Sequence, residues 1–128
     1  MRFAGYAAIF DRPDHGGDVI RKGAFEGAPA KGLPLFWQHD TAQRIGTVER
    51  LAEDSRGLRV ITRLTAGRAV VPGQGLSFGY RVRAARKGKF RELTDLELIE
   101  VSLVTHPMQP LARVHAVDDS HEGEDHGI

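Results

Sequence analysis

The clearest pattern along the chain is a series of short apolar runs separated by polar loops. The first run covers residues 3–10 (FAGYAAIF) and ends at a polar segment that begins with Asp11. An apolar run of this length that stops at a loop is typical of a buried strand. A second apolar segment, Leu33–Trp37, contains Pro34, which favours a strand start or a sheet edge.

Alternation of apolar and polar residues marks the rest of the chain. Ile45–Leu51 and Leu58–Leu64 flank a polar turn, and the second of them alternates with a period of two, which predicts a β-hairpin. Leu76–Arg83 alternates as well, so Ser77 lies opposite the apolar face. Leu93–Thr105 is the longest strand candidate.

These segments predict a mostly β (α+β) fold. We expect a compact, barrel-like sheet of about six or seven strands with one or two short helices. A length of 128 residues fits one domain, which we place at residues 1–115. Residues 116–128 are short of apolar side chains and are predicted to form a disordered acidic tail.

Composition narrows the chemistry. The 18 Lys and Arg residues balance the 17 Asp and Glu residues, so net charge gives no general attraction to nucleic acid or membranes. The absence of cysteine excludes disulfides, thiolate metal sites and a cysteine nucleophile. No apolar run approaches the ~20 residues that cross a bilayer, and the N-terminus lacks the apolar stretch of a secretory signal, so we expect a cytosolic protein.

A serine and a histidine occupy positions suited to nucleophilic catalysis. Ser77 lies between Gly75 and Gly79 at a strand start, where missing side chains let another backbone approach. A small residue that merely faces solvent is the alternative. His39 follows the aromatic segment Leu35–Trp37 at the point where the chain turns polar, and an imidazole with an ordinary pKa of ~6.5 suits a general base. A capping or surface histidine is the alternative there.

Glu100 is the most informative single residue. Strict alternation would place Leu96, Leu98, Glu100, Ser102 and Val104 on one face of the last long strand. A carboxylate among apolar residues needs a partner, because burying it alone costs several kcal/mol. The partner could be a histidine, as in serine hydrolases, or an arginine of the Arg81–Arg91 stretch in a structural ion pair. An edge-strand position open to water is the alternative to burial. Asp40 and His106 are competing third members of a catalytic set.

The remaining polar clusters are weaker signals. His15 with Asp14 and Asp18 does not match a metal-binding pattern, so we expect neither a metal nor a cofactor. The basic run Arg81–Arg91 could contact phosphates, although a solvated strand face and turn is the favoured interpretation.

Several motifs occur in an order that resembles a known family. They are Gly5-Tyr6-Ala7, Phe10-Asp11, Gly17-Asp18-Val19-Ile20, Gly23-Ala24-Phe25, Leu35 to His39 with Asp40, Ile45-Gly46, Gly57-Leu58, Leu76-Ser77-Phe78-Gly79-Tyr80, and Leu98 to Thr105 followed by Pro107. The set spans about residues 3 to 113 and resembles the prohead proteases of tailed bacteriophages. These capsid maturation proteases are distantly similar to herpesvirus assemblin.

The resemblance implies a herpesvirus-protease-like fold and three catalytic roles. Ser77 would be the nucleophile, His39 the base, and Glu100 the acid that orients His39. It also implies a serine endopeptidase that cuts the major capsid protein or a scaffold segment, with self-association possible. The work would take place inside the immature capsid in a bacterial cytoplasm, without a membrane or a specific nucleic acid as partner.

One segment departs from the family pattern. Typical members carry a helix before the serine motif, whereas residues 65–75 (TAGRAVVPGQG) form a Gly- and Pro-containing loop. The alternative function is therefore a catalytically reduced, non-enzymatic module for capsid assembly and binding, built on the same fold.

Overall fold

Eight strands build the part of the chain that the computed structural model describes, residues 1–65 and 69–118. In chain order they are β1 (Arg2–Ile9), β2 (Asp18–Ile20), β3 (Pro34–Trp37), β4 (Asp40–Glu53), β5 (Gly57–Leu64), β6 (Gly75–Arg86), β7 (Arg91–Val104) and β8 (Val114–Asp118).

All eight strands belong to one mixed sheet. Their order is β2-β7-β3-β4-β5-β1-β8, and β6 pairs with β7 off this path. β7 is antiparallel to β6 and parallel to β2 and β3. The predicted barrel-like closure is wrong, because β6 approaches the β8 end at the isolated Gly75–Arg113 bridge rather than along a ladder.

The mostly β prediction is confirmed, whereas the predicted short helices are wrong for the described residues, which contain none. Gly23 and Gly27 show the reason in the longest stretch between strands. Their φ angles of 95° and 78° lie outside helical conformations and break that stretch into turns. Accordingly, no described segment forms a helix that could span a membrane.

The strongest strand signals are confirmed. The expected hairpin is the antiparallel β4–β5 pair, and the other apolar or alternating runs became β1, β3, β6 and β7. The strand count was too low because β2 and β8 have only 3 and 5 residues, too few to show a period. Likeness to the herpesvirus protease fold stays a prediction.

One core lies on the apolar face of these strands. Its fully buried large side chains are Phe3, Ile20, Leu35, Leu58, Leu76, Leu93, Leu96 and Leu103, with Val48, Val60 and Val101. Burial of each stabilises the fold by roughly 1.5–3 kcal/mol. A slip of one residue in any strand would turn that set toward the other face, so the core also fixes the register.

Strict alternation fails along β7. Gly79 pairs with Glu100 but Tyr80 pairs with Leu98, so Ile99 is the extra residue of a β-bulge and is 43% exposed. The bulge puts Leu98 on the face of Tyr80, not on that of Glu100. The prediction that Leu96 and Leu98 share the Glu100 face is therefore wrong.

The end of the described chain bears on the predicted tail. Residues 116–118 belong to β8, and residues 119–128 lie outside the described residues. The domain boundary and the acidic tail remain predictions.

Candidate active site

The sheet brings the ends of three strands together. β3 is parallel to β7 with Trp37 opposite Leu103, so the turn that follows β3 lies beside the end of β7. β6 is antiparallel to β7 with Ser77 opposite Ser102, which puts the beginning of β6 at the same place. Pairing of β3 and β6 to the same strand, β7, thus brings His39 and Ser77 to one end of the sheet, although they are far apart in sequence.

The turn that carries His39 has an unusual backbone. Gln38 and His39 have φ angles of 54° and 59°, a left-handed conformation that costs roughly 1–2 kcal/mol per residue for a side chain with a Cβ. Surrounding contacts must hold such a turn.

The Gln38 amide supplies several of those contacts. Its backbone N–H donates to Leu103 O at 2.9 Å, its side-chain Nε2 donates to Thr105 Oγ1 at 3.1 Å, and its Oε1 accepts from Thr105 N at 2.9 Å. These bonds tie the turn to the end of β7. These hydrogen bonds therefore hold the backbone next to His39 in position.

Glu100 pairs with His39. The two side chains approach to 2.5 Å between Nδ1 and Oε1, and Glu100 is only 7% exposed. An ionised carboxylate can only accept, so we assign the shared proton to Nδ1. Nε2 is then the unprotonated, basic nitrogen. This is the tautomer of His39 that a general base needs. The predicted need of Glu100 for a partner is confirmed.

The pair changes the titration of the histidine. The hydrogen bond to Glu100 raises the pKa of His39 above its ordinary value of 6.5, and partial burial opposes this. A folded-state pKa above the unfolded one means that the pair contributes its full stability below about pH 6.5, and that this is lost as pH rises through the folded value.

Gly79 makes room for the carboxylate. A Cβ built at this position would lie 3.0 Å from both Cγ and Cδ of Glu100 and still closer to Oε1. Real Cβ atoms do not come that close, so Glu100 could not stay in place over any other residue. Packing of Glu100 therefore explains why the Ser-Phe-Gly-Tyr motif has a glycine at position 79.

Ser77 and His39 line the same cavity, which has a volume of about 410 Å³. His15, Gln38 and the segment 104–108 complete its wall. Ser77 is half-buried, at the strand start where the sequence placed it. Within residues 1–65 and 69–118, the hydrogen bonds of His39 run to Glu100 and Ser102, and none joins it to Ser77.

The competing acids and histidines occupy other positions. Asp40 Oδ1 accepts from Ala42 N at 2.9 Å and its Oδ2 accepts from Gln43 Nε2 at 3.1 Å. The carboxylate of Asp40 therefore bonds to its own neighbours in the chain. His106 lies on the cavity wall, but the bond to the His39 imidazole comes from Glu100. The structure thus favours Glu100 as the partner of His39.

Two contributors to the site escaped sequence reasoning. Ser102 lies under the pair, fully buried, and Gln38 anchors the turn. Each could have been suspected from the sequence only by its place next to a candidate, since a buried serine and an exposed glutamine have no distinctive pattern of their own.

The structure also bears on the weaker sequence signals. No group of metal-binding side chains occurs in the described part of the chain. In the basic run, Arg81, Arg83, Arg86 and Arg91 form ion pairs with acidic residues of β7 or with Asp18. Much of the positive charge is locally balanced, which supports the solvated hairpin over a phosphate-binding surface.

A buried carboxylate bonded to a histidine, with a serine on the same cavity wall, is an arrangement that serine hydrolases use. Comparison with known proteins agrees with that class. The family model for Caudovirus prohead serine protease matches residues 1–126, so the chain belongs to this family, as the sequence motifs predicted.

A curated relative gives the same assignment. The chain is 41% identical over 69 residues to the prohead protease of Enterobacteria phage HK97, a match that covers 51% of this chain and 31% of the HK97 protein. The match therefore spans about a third of its relative.

Proposed function

We propose that this protein is a serine endopeptidase with Ser77 as nucleophile, His39 as general base and Glu100 as the residue that orients His39. The single observation that carries the proposal is the His39–Glu100 pair, placed on a cavity that Ser77 also lines. Membership of the prohead serine protease family supports the same reaction class.

The chemistry follows from the tautomer. Ser77 Oγ attacks the scissile carbonyl while Nε2 of His39 takes its proton, and the tetrahedral intermediate expels the amine after His39 returns that proton to the leaving nitrogen. In the second half of the reaction, His39 takes a proton from water, and the water attacks the acyl group on Ser77. His39 then returns the proton to Ser77 Oγ as the acyl group leaves. Glu100 stabilises the imidazolium that forms each time.

The proposed substrates are assembly proteins. We place the reaction inside the immature capsid in a bacterial cytoplasm, on the major capsid protein or a scaffold segment. Confinement in a capsid presents substrate at a very high local concentration, so cleavage does not require great intrinsic affinity for the substrate.

Co-expression with the cognate major capsid protein tests the proposal. Wild type should shorten the capsid protein, and Ser77→Ala should leave it at full length, as read from the intact mass of the capsid protein. Ser55→Ala is the matched control, because Ser55 is an exposed serine in the β4–β5 turn. Equal processing by wild type and Ser77→Ala would refute the enzyme.

A non-enzymatic assembly module is the second candidate. The observation in its favour is that the His39 hydrogen bonds run away from Ser77. Under this function the capsid protein keeps its full length with every variant, and particle yield is the same for wild type and Ser77→Ala.

A further inference from the structure

Ser102 lies beneath the candidate catalytic pair and touches both of its members. It is fully buried, with 0% exposure. Its Oγ accepts a hydrogen bond from the backbone N–H of His39 at 3.1 Å and donates one to Glu100 Oε2 at 2.7 Å. The bond of Glu100 Oε1 to the His39 ring closes a loop of three hydrogen bonds.

The directions of the two bonds at Ser102 are fixed by chemistry. A backbone N–H can only donate, so Ser102 Oγ must accept there, and its own proton is left for the carboxylate. Ser102 thereby engages Oε2 and leaves Oε1 turned to the ring, where an ionised carboxylate accepts the Nδ1 proton. The hydroxyl thus helps to hold the arrangement in which Nε2 of His39 is free.

We propose that Ser102 is a positioning residue that sets the orientation and tautomer of His39 through its backbone N–H and through Glu100. The proposal rests on the proposed function for its catalytic consequence, but not for its structural content. Complete burial prevents Ser102 from touching a substrate, so it does not compete with the half-buried Ser77 for the role of nucleophile.

The backbone of the turn explains why such a residue is needed. Gln38 and His39 both have positive φ, and a turn of this kind relaxes when its contacts are lost. The side chain of Gln38 ties the turn to Thr105 at the end of β7. Ser102 holds the next residue of the turn, His39, through its backbone N–H. Without the hydroxyl, the carboxylate would lose one partner and the His39 N–H would lose its acceptor.

Nitrogen NMR of the histidine ring tests the proposal without any cleavage assay. In the wild type above the pKa of His39, we expect a protonated Nδ1 and an unprotonated Nε2. In Ser102→Ala we expect signals averaged between the two tautomers. Thr62→Val is the matched control, because Thr62 Oγ1 is another buried hydroxyl but has no hydrogen-bond partner in the described structure; it should keep the wild-type ring signals.

The rate of Ser77 labelling by a fluorophosphonate is the second measurement. We expect Ser102→Ala to slow labelling by about 10- to 100-fold, the scale of an imidazole misplaced by roughly 1 Å, and Thr62→Val to leave it within twofold. Should Ser102→Ala fail to fold, Ser102→Cys replaces it, since a thiol is a weak donor and acceptor of nearly the same shape.

The outcomes separate this proposal from the proposed function. Wild-type ring signals and labelling rate in a folded Ser102 variant would overturn the positioning role and leave the enzyme standing. Averaged tautomers in the variant, together with a wild type that labels at no serine, would support the positioning role and refute the enzyme.

Discussion

Two carboxylates in this protein make very short hydrogen bonds to a ring, and their surroundings differ. Glu100 bonds His39 Nδ1 at 2.5 Å, and Asp54 accepts from the Tyr6 hydroxyl at 2.5 Å. Asp54 also accepts from the backbone N–H groups of Arg56 and Gly57 in its own turn. The carboxylate oxygens of Asp54 therefore hold the β4–β5 turn against β1.

The two rings differ in what they leave free. Tyr6 has donated its one proton, and Arg56 lies 5.1 Å from its ring centre, so the ring is enclosed by structural contacts. His39 keeps a basic nitrogen on a cavity that Ser77 shares. A short carboxylate–ring bond is therefore a candidate catalytic feature only when the ring has a second, reactive atom on a cavity shared with a nucleophile.

The sharpest test of this difference removes the charge from the catalytic pair. Glu100→Gln should slow Ser77 labelling by about 10²- to 10⁴-fold, because an amide neither stabilises the imidazolium nor fixes the Nδ1 tautomer. The pKa of His39 should also fall, since the bond to Glu100 is what raises it. A Gln variant with the wild-type rate and the wild-type His39 pKa would place Glu100 alongside Asp54 as purely structural.

A second test displaces the carboxylate without changing it. Gly79→Ala should force Glu100 away from His39, because the new Cβ would lie 3.0 Å from its Cδ. We expect about a tenfold slower labelling and roughly 1–3 kcal/mol less stability, measured by urea unfolding. Gly88→Ala is the control, since its nearest neighbour is the end of the flexible Glu92 side chain. If Gly79→Ala behaves like the control, the packing argument for this glycine is wrong.

The structural pair gives the opposite pattern. Asp54→Asn should cost about 1 kcal/mol of stability for the weakened bonds and leave labelling within twofold. Burial raises the pKa of Asp54, but the bonds from Tyr6 and the turn amides outweigh it, so the pKa lies below its usual 3.8. Asp54 therefore contributes stability above about pH 3.8, and this is lost as pH falls through the folded pKa.

Comparison of urea unfolding curves at pH 7 and pH 3 checks the sign. The difference in stability between wild type and Asp54→Asn should shrink at the lower pH. A difference that grows on acidification would contradict the assignment.

The smallest effect is expected at a hydroxyl that belongs to neither pair. Thr62 is fully buried in β5 and its Oγ1 has no partner among the described residues. Thr62→Val replaces that hydroxyl by a methyl of similar size and should raise stability by about 1 kcal/mol. A loss of stability in urea would show that the hydroxyl has a partner after all.

Much of this site could be read from the sequence, and the reasons are local. Ser77 could be recognised because it lies between two glycines and on the polar side of an alternating strand. His39 could be recognised because it follows an aromatic run, and Glu100 because its neighbours in the sequence are apolar. Each depends on nearest-neighbour chemistry. The ordered family motifs added their roles.

What sequence reasoning missed depends on contacts between distant residues. The bulge at Ile99 appears only when β7 is paired with β6, and it changes which leucines share a face with Glu100. β2 and β8 are strands because longer strands pair with them, not because of their own pattern. Ser102 gains its importance from a backbone N–H that lies 63 positions away in the chain.

The pH dependence of fluorophosphonate labelling, with the modified residue mapped by mass spectrometry, is the decisive test of whether the His39–Glu100 pair activates Ser77. We expect a label on Ser77 whose rate rises with pH through a pKa above 6.5 in the wild type and through a lower pKa in Glu100→Gln. Labelling at another serine, no labelling at any pH, or the same pH dependence in both proteins would contradict it.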